Sequence, residues 1–244
     1  MSQLNNEITS FLMVSPVITL QELSISLCTE EASRICLSLD ALKQSSIVPR
    51  DWEATRSSVT TNEFTQLSFT NGIRLINQLD SLTFIEPLIS HTPKEIRVAD
   101  LAHKYVNLFP HINFREVNIS IRNFVTFESN DRSNKELVHQ YMFTLLSSDL
   151  LSDSEIKPVT TVIDVIYSFA EVILNLKIKE VEVHLPNNQV IPSILFSGVV
   201  PHKIEATYTS EKLQQSLHFI YSWRKDLEVY TKILNKFLRQ TKNN

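Results

Sequence analysis

The period of apolar and polar positions changes repeatedly along the chain, and each change marks a structural element. From Val17 to Leu27, the residues Leu23, Ile25 and Leu27 fall on one side and Glu22, Ser24 and Ser26 on the other, the two-residue period of a half-buried strand. Over Thr29–Lys43 a cap-type threonine and two glutamates precede Ile35, Leu39 and Leu42 at helical spacing. A short helix is expected there, with a continued strand as the alternative, and Pro49 breaks the pattern within Ile47–Trp52. Phe64–Thr70 and Ile73–Asn77 flank Asn71-Gly72, two residues that tolerate positive φ, so a hairpin with a type I′ turn is expected. Leu82–Glu86 continues it as a meander. Thr92 and Pro93 then open a helix as its N-cap and first residue, with Ile96, Ala99, Leu101, Tyr105 and Leu108 inward and Pro110 at its end.

Phe114–Phe127 sets Val117, Ile119 and Ile121 against Asn118, Ser120 and Arg122, then loses phase near Asn123, where a β-bulge is expected. Asp131–Leu151 predicts a helix with Leu137, Tyr141, Met142 and Leu145 inward. After Pro158 comes a β-rich stretch in which Ala170, Val172, Leu174, Leu176 and Ile178 alternate with mostly polar residues. The phase flips at Lys179-Glu180, resumes as Val181, Val183 and Leu185, and is followed by a turn at Asn187-Asn188 and a return strand, Val190–Phe196. The segment from Ser210 to about Lys242 predicts one long helix. At ~100° per residue its apolar positions, Leu213, Leu217, Phe219, Ile220, Trp223, Leu227, Tyr230, Leu234, Phe237 and Leu238, span an arc of about 160° centred near Leu227. Lys225, Lys232, Lys236 and Arg239 share the opposite side.

These elements predict an α+β fold with mainly antiparallel, meander-containing sheet(s) and about three or four helices, the long C-terminal one packed on the sheet. No Pro-, Ser- or Gly-rich linker divides the chain, so residues 1–244 are expected to form a single domain. The patterns around Asn71-Gly72 and Asn187-Asn188 echo each other too faintly to define a repeat.

With 244 residues, 43% of them hydrophobic, the chain can bury a sizeable core. A net charge of −4 and a pI near 6.0 supply no global basic field, which argues against a nucleic-acid coat protein and leaves only local patches to consider. Cys28 and Cys36 have seven residues between them, with no CxxC and no metal-spaced histidine beside them. They fit a reducing compartment as small core residues. Met1–Pro16 has no basic residue before its short apolar run Phe11–Val14, and no run reaches the ~18 apolar residues of a membrane span. A cytoplasmic protein without a membrane partner is the expectation. Gly72 and Gly198 are the only glycines, and phosphate-cradling loops, nucleophile elbows and dinucleotide fingerprints all need several at fixed spacing.

Candidate chemistry is correspondingly sparse. Asp100 and His103 lie one helical turn apart and could act as an acid and base pair or hold a metal, with His111 or Glu116 as a third ligand, although such pairs are common surface features. Ser197-Gly198 approaches a nucleophile turn but lacks the preceding glycine. Cys28, just before a predicted helix start, or Cys36 would need a depressed pKa to act as a nucleophile. Phe114-Arg115, Arg122-Asn123-Phe124 and Phe127 could form a stacking platform for single-stranded nucleic acid, but alternating strands produce the same text when one face is core. The basic face of the last helix reads first as a solvated surface and second as a binding face. No catalytic residue, metal or cofactor is expected.

Ser15–Glu22, Ile47–Trp52, Asn71-Gly72, Tyr105–Pro110 leading into Phe114–Val117, Ile194–Ser197, and the tryptophan and leucine of the last helix resemble a family of uncharacterised bacterial, chiefly cyanobacterial, proteins. The resemblance implies a shared α+β fold and no assigned activity. The expected function is that of a non-catalytic binding or scaffold protein acting through a protein partner or self-association. An enzyme or small-molecule binder with a site built from scattered polar residues is the alternative, and nucleic-acid binding through the basic helix face is the third reading.

Overall fold

The computed structural model describes residues 16–30, 38–56, 58–61, 64–88, 96–127, 134–145, 161–184 and 187–240. The elements, in chain order, are β1 (Pro16–Thr29), α1 (Leu39–Gln44), β2 (Val59–Thr60), β3 (Thr65–Ser68), β4 (Arg74–Asn77), β5 (Ser81–Pro87), α2 (Val98–Leu108), β6 (Phe114–Phe127), α3 (Asn134–Thr144), β7 (Val162–Phe169), β8 (Val172–His184), β9 (Val190–Lys203), α4 (Thr209–Tyr221) and α5 (Trp223–Gln240). The described strands form one nine-stranded sheet in the order β2-β3-β4-β5-β1-β6-β9-β8-β7, with every pairing antiparallel. The fold is α+β, as expected.

The long strands β1 and β6 pair at the centre, from Pro16 opposite Phe127 to Thr29 opposite Phe114. On either side of that pair the chain follows the same path: strand, helix, an antiparallel meander whose last strand returns to pair with the first, and a closing helix. The hairpin at Asn71-Gly72 joins the middle two strands of its four-stranded meander, β3 and β4, whereas Asn187-Asn188 joins the last two of the other, β8 and β9. The repeat is therefore one of topology, and the two asparagine turns are not equivalent positions in it.

Alternation separates the two sheet faces. Leu23, Ile25 and Leu27 of β1, Leu82 and Phe84 of β5, Val117, Ile119 and Ile121 of β6, Leu174, Leu176 and Ile178 of β8, and Ile194 and Phe196 of β9 are buried. The helices lie on this face, α2 on β1 and β5, α3 on β6, β8 and β9, α4 on β6, and α5 on β6 and β9. Each fully buried side chain of this size contributes about 1.5–3 kcal/mol. The opposite face carries Glu22, Ser24, Ser26, Thr83, Ile85, Asn118, Ser120, Ser197 and Val199, all half-buried.

Several local expectations change. Gly72 has φ +85° but Asn71 has no positive φ, and Gly72 N–H donates to Phe69 O (3.0 Å) while Phe69 N–H donates to Ile73 O (2.9 Å). This is a three-residue loop ending in a left-handed glycine, not a type I′ turn; the Asn71 side chain accepts from Ile73 N–H (3.0 Å) and holds it. The Thr92-Pro93 helix start lies outside the described residues. Within them, α2 begins at Val98 and is capped by a carboxylate from the sheet. Glu86, fully buried, accepts from Arg97 N–H (2.7 Å) and Val98 N–H (3.1 Å) through Oε2, and its Oε1 takes the Arg97 guanidinium (3.3 Å). Leu108 is 46% exposed instead of inward. The expected bulge at Asn123 sits instead on the partner strand, between Ile18 and Leu20, and a second lies at Cys28–Thr29. The β6–β9 ladder runs unbroken past Asn123, a polar residue that occupies a core position.

The phase flip at Lys179-Glu180 involves no break in the β8–β9 ladder. Glu180 faces the helices, where His139 of α3 meets its carboxylate at 3.1 Å. The long C-terminal helix is interrupted at Ser222. The Ser222 Oγ lies 2.8 Å from both Phe219 O and Asp226 Oδ2, and its carbonyl accepts from Asp226 N–H (3.1 Å). A break resets helical phase, so the arc drawn across both halves is misplaced: Trp223, Asp226, Tyr230 and Leu234 form the buried line of α5, and Leu227 is only half-buried. With α1 and this interruption, the described helices number five.

Candidate functional site

The polar candidates from the sequence are dispersed. Asp100 is exposed on α2, and the His103 ring packs near Tyr221 at 5.2 Å between centroids, with Asn107 Nδ2 3.2 Å from His103 Nε2. Burial and then the charge of Asp100 push the Tyr221 phenol up. His111 stands beside Phe109, and Glu116 accepts from Asn118 (2.7 Å). Among the described residues no three His, Cys, Asp or Glu side chains are placed to hold a metal ion. Cys28 is buried; burial raises its thiol pKa, against a weaker opposing hydrogen bond from Asn118, the reverse of what a nucleophile needs. Cys36 lies outside the described residues. Of the aromatic and basic run, Phe114, Asn123 and Phe127 are core residues, while Arg115 and Arg122 are exposed and Phe124 is half-buried.

One serine, histidine and aspartate cluster was not legible in the sequence. Ser222 Oγ is 3.1 Å from His202 Nε2, and Asp226 Oδ2 is 2.8 Å from the same nitrogen. A nucleophilic triad needs the serine and the acid on opposite ring nitrogens, so that one takes the proton while the other orients the ring. Here both compete for Nε2, and His202 stacks on Phe219 at 5.0 Å. The cluster ties β9 to the α4–α5 junction. Gly198 likewise serves packing, because Tyr230 lies against it. A cavity of about 250 Å³ between the end of α2 and the start of α4 is lined in part by His111, Thr207, Thr209 and Lys212. The Lys212 ammonium already meets Asn113 Oδ1 (2.6 Å) and Glu30 Oε1 (3.5 Å), so its charge is matched.

Lys225, Lys232, Lys236 and Arg239 are all exposed, and the first three stand beside the β7–β8 hairpin. Lys225 meets Glu171 at the β7–β8 turn (3.7 Å), and Lys232 Nζ stands 4.7 Å from the centre of the Phe169 ring. Lys236 lines a groove of about 350 Å³ with Tyr167, Ser168, Phe169, Ile233 and Phe237. Arg239 is exposed one turn further on. The basic stripe thus flanks β7.

Among the described residues β7 is an edge strand: its one partner there is β8, and the opposite edge of the sheet is β2, only two residues long. Edge strands are normally shortened, charged or bulged to prevent further pairing. β7 is eight residues, Val162-Ile163-Asp164-Val165-Ile166-Tyr167-Ser168-Phe169, and pairs without a bulge. The hairpin closes at Phe169 opposite Val172 through Ala170-Glu171, where Ala170 has φ +53° and only the first turn residue is left-handed, the sign pattern of a type II′ turn. A two-residue hairpin closes on a hydrogen-bonded pair, so Phe169, Tyr167, Val165 and Ile163 bond to β8, and the N–H and C=O groups of Val162, Asp164, Ile166 and Ser168 point out of the sheet. Among the described residues, no backbone group reaches them from outside the sheet. Val162, Ile166 and Phe169 are 55%, 71% and 50% exposed. With Val162 and Ile166 on the open face and Ile163, Val165, Tyr167 and Phe169 on the other, the run reads in sequence much like a central strand, and only the strand order places it at an edge.

No protein-family model matches the chain, and no curated protein matches it. Among solved structures, the chain is similar to a rolling circle replication initiator protein from Geobacillus stearothermophilus at 10% identity, over 84% of this chain and 79% of that one, with a TM-score of 0.29. At that score the likeness assigns nothing to the residues of this chain.

Proposed function

We propose that the protein is a non-catalytic binding protein that takes up an extended polypeptide segment as an added strand on β7. The observation that carries this reading is the outer edge of β7, eight residues long, without a strand partner among the described residues, mostly apolar and bordered by a groove. Strand addition satisfies the outward backbone groups of Val162, Asp164, Ile166 and Ser168, which supplies affinity, while the groove beside Tyr167 and Phe169 receives alternate side chains, which supplies selectivity. The other polar clusters already have internal duties in packing and capping.

The test is selection of extended peptides from a displayed library on the full chain, followed by binding to Ile166→Pro. Proline at Ile166 removes an outward N–H and leaves the ladder to β8 in place, a substitution that edge strands tolerate. The expected result is enrichment of peptides that lose binding to Ile166→Pro while its thermal midpoint stays close to the parent value. Failure to enrich any peptide, or binding that ignores the substitution, contradicts the proposal.

A further inference from the structure

We infer that the segment added to β7 carries carboxylates at alternate positions, facing α5, with apolar residues between them. This rests on the strand-addition reading above and specifies its partner. An added strand lies about 4.8 Å beyond β7, and its side chains alternate between the two sheet faces. On the open face they meet Val162 and Ile166, and the only charge of β7 there, Asp164, is already taken by Lys177 at 3.3 Å. Apolar side chains suit those positions.

On the helix face the added side chains meet Phe169, Ile233 and Phe237 together with Lys236, and Lys232 stands over Phe169. Lys232, Lys236 and Arg239 have no ion-pair partner among the described residues. The acidic side chain nearest in sequence, Glu228, sits one turn before Lys232; at ~100° per residue it falls on the flank of the stripe turned away from Lys236. The groove is thus apolar at its floor and cationic at its rim.

A second copy of this chain is a poorer occupant. Its β7 brings Ile163, Val165, Tyr167 and Phe169 to the helix face, with no carboxylate for Lys236, and it brings a second unmatched basic stripe. An acidic, apolar-alternating segment satisfies the backbone, the groove and the charges together.

The experiment compares two dye-labelled octapeptides on the full chain by fluorescence anisotropy, one alternating Val and Glu, the other alternating Val and Gln. The Val/Glu peptide is expected to bind roughly tenfold more tightly, the worth of two partly exposed charge pairs. Lys232→Gln/Lys236→Gln should bring it down to the Val/Gln level and remove most of its salt dependence, while Ile166→Pro abolishes both. Equal binding of the two peptides, both lost on Ile166→Pro, overturns acid selection and leaves strand addition standing. Absence of binding by either peptide, or binding indifferent to Ile166→Pro, overturns the strand-addition reading and this inference with it. A chain that sediments as a dimer and takes up peptide only on dissociation overturns the inference in favour of a second copy.

Discussion

Gly198 sits in the middle of β9 where α5 crosses the sheet, and replacing it by alanine tests how closely the two layers approach. A Cβ there would lie 2.4 Å from Tyr230 Cδ2, 2.8 Å from Cε2 and 3.0 Å from Leu174 Cδ1. Tyr230 is fully buried and its hydroxyl donates to Phe196 O at 3.1 Å, so the ring cannot withdraw without giving up that bond. The strand backbone at Gly198 is not left-handed, so alanine should gain about 0.5–1 kcal/mol from reduced unfolded-state entropy. Against this stand overpacking of about 1–3 kcal/mol and, if the hydroxyl loses its partner, about 1–3 kcal/mol more. The clash wins, for a net loss of about 2–4 kcal/mol. At ~2–4 °C per kcal/mol for a chain of this size, the thermal midpoint should fall by about 5–15 °C. Urea unfolding of the parent, Gly198→Ala, Tyr230→Ala and the double variant gives the decisive cycle, in which the alanine penalty should disappear once the ring is gone. A Gly198→Ala protein as stable as the parent, or a penalty that persists without Tyr230, would refute the packing argument.

Three further outcomes follow from the same geometry. Glu86→Ala should cost about 2–4 kcal/mol in urea unfolding, because two buried backbone N–H groups at the start of α2 and the Arg97 guanidinium lose their acceptor; a neutral result would show that solvent replaces the carboxylate. Gly72→Val should cost about 1–2 kcal/mol, since it forces a β-branched residue to φ +85° with Pro87 Cγ only 3.0 Å from the new Cβ; equal stability would mean the loop is held some other way. Burial pushes the phenols of Tyr105, Tyr141 and Tyr230 well above their usual range. The folded chain therefore keeps protons that the unfolded chain releases near pH ~10, so their contribution is intact below that pH and is lost as pH rises further. Urea midpoints that stay level up to about pH 12 would contradict this.

Where one face of a strand is core and the other polar, alternation alone defines the strand, which is why β1, the meander and most of β6 were legible in the sequence. The site was not legible, for the opposite reason. β7 carries apolar residues on both faces, with Asp164 and Ser168 between them, and nothing in Val162–Phe169 says that its outer side has no strand partner among the described residues. The turn before β8 carries Ala170 at positive φ, so the usual Gly or Asn marker is missing. The basic residues of the last helix share a side in the sequence pattern and are exposed, but nothing in that pattern says that the β7–β8 hairpin lies beside them. Two polar residues at inward positions, Glu86 and Glu180, did carry a signal. Each marks a place where a helix supplies the sheet with a partner, through the α2 N-terminus for one and His139 for the other.

Residue-resolved amide exchange along β7, with and without the alternating Val/Glu peptide, bears most directly on strand addition. In the free chain the N–H groups of Ile163, Val165, Tyr167 and Phe169 should be protected by the β8 ladder and those of Val162, Asp164, Ile166 and Ser168 should exchange freely. Saturating peptide should slow the second set by at least about tenfold and leave the first set unchanged, producing protection at every residue of the strand. Outward amides already protected in the free chain, or untouched by bound peptide, would contradict the assignment of β7 as a strand-accepting edge.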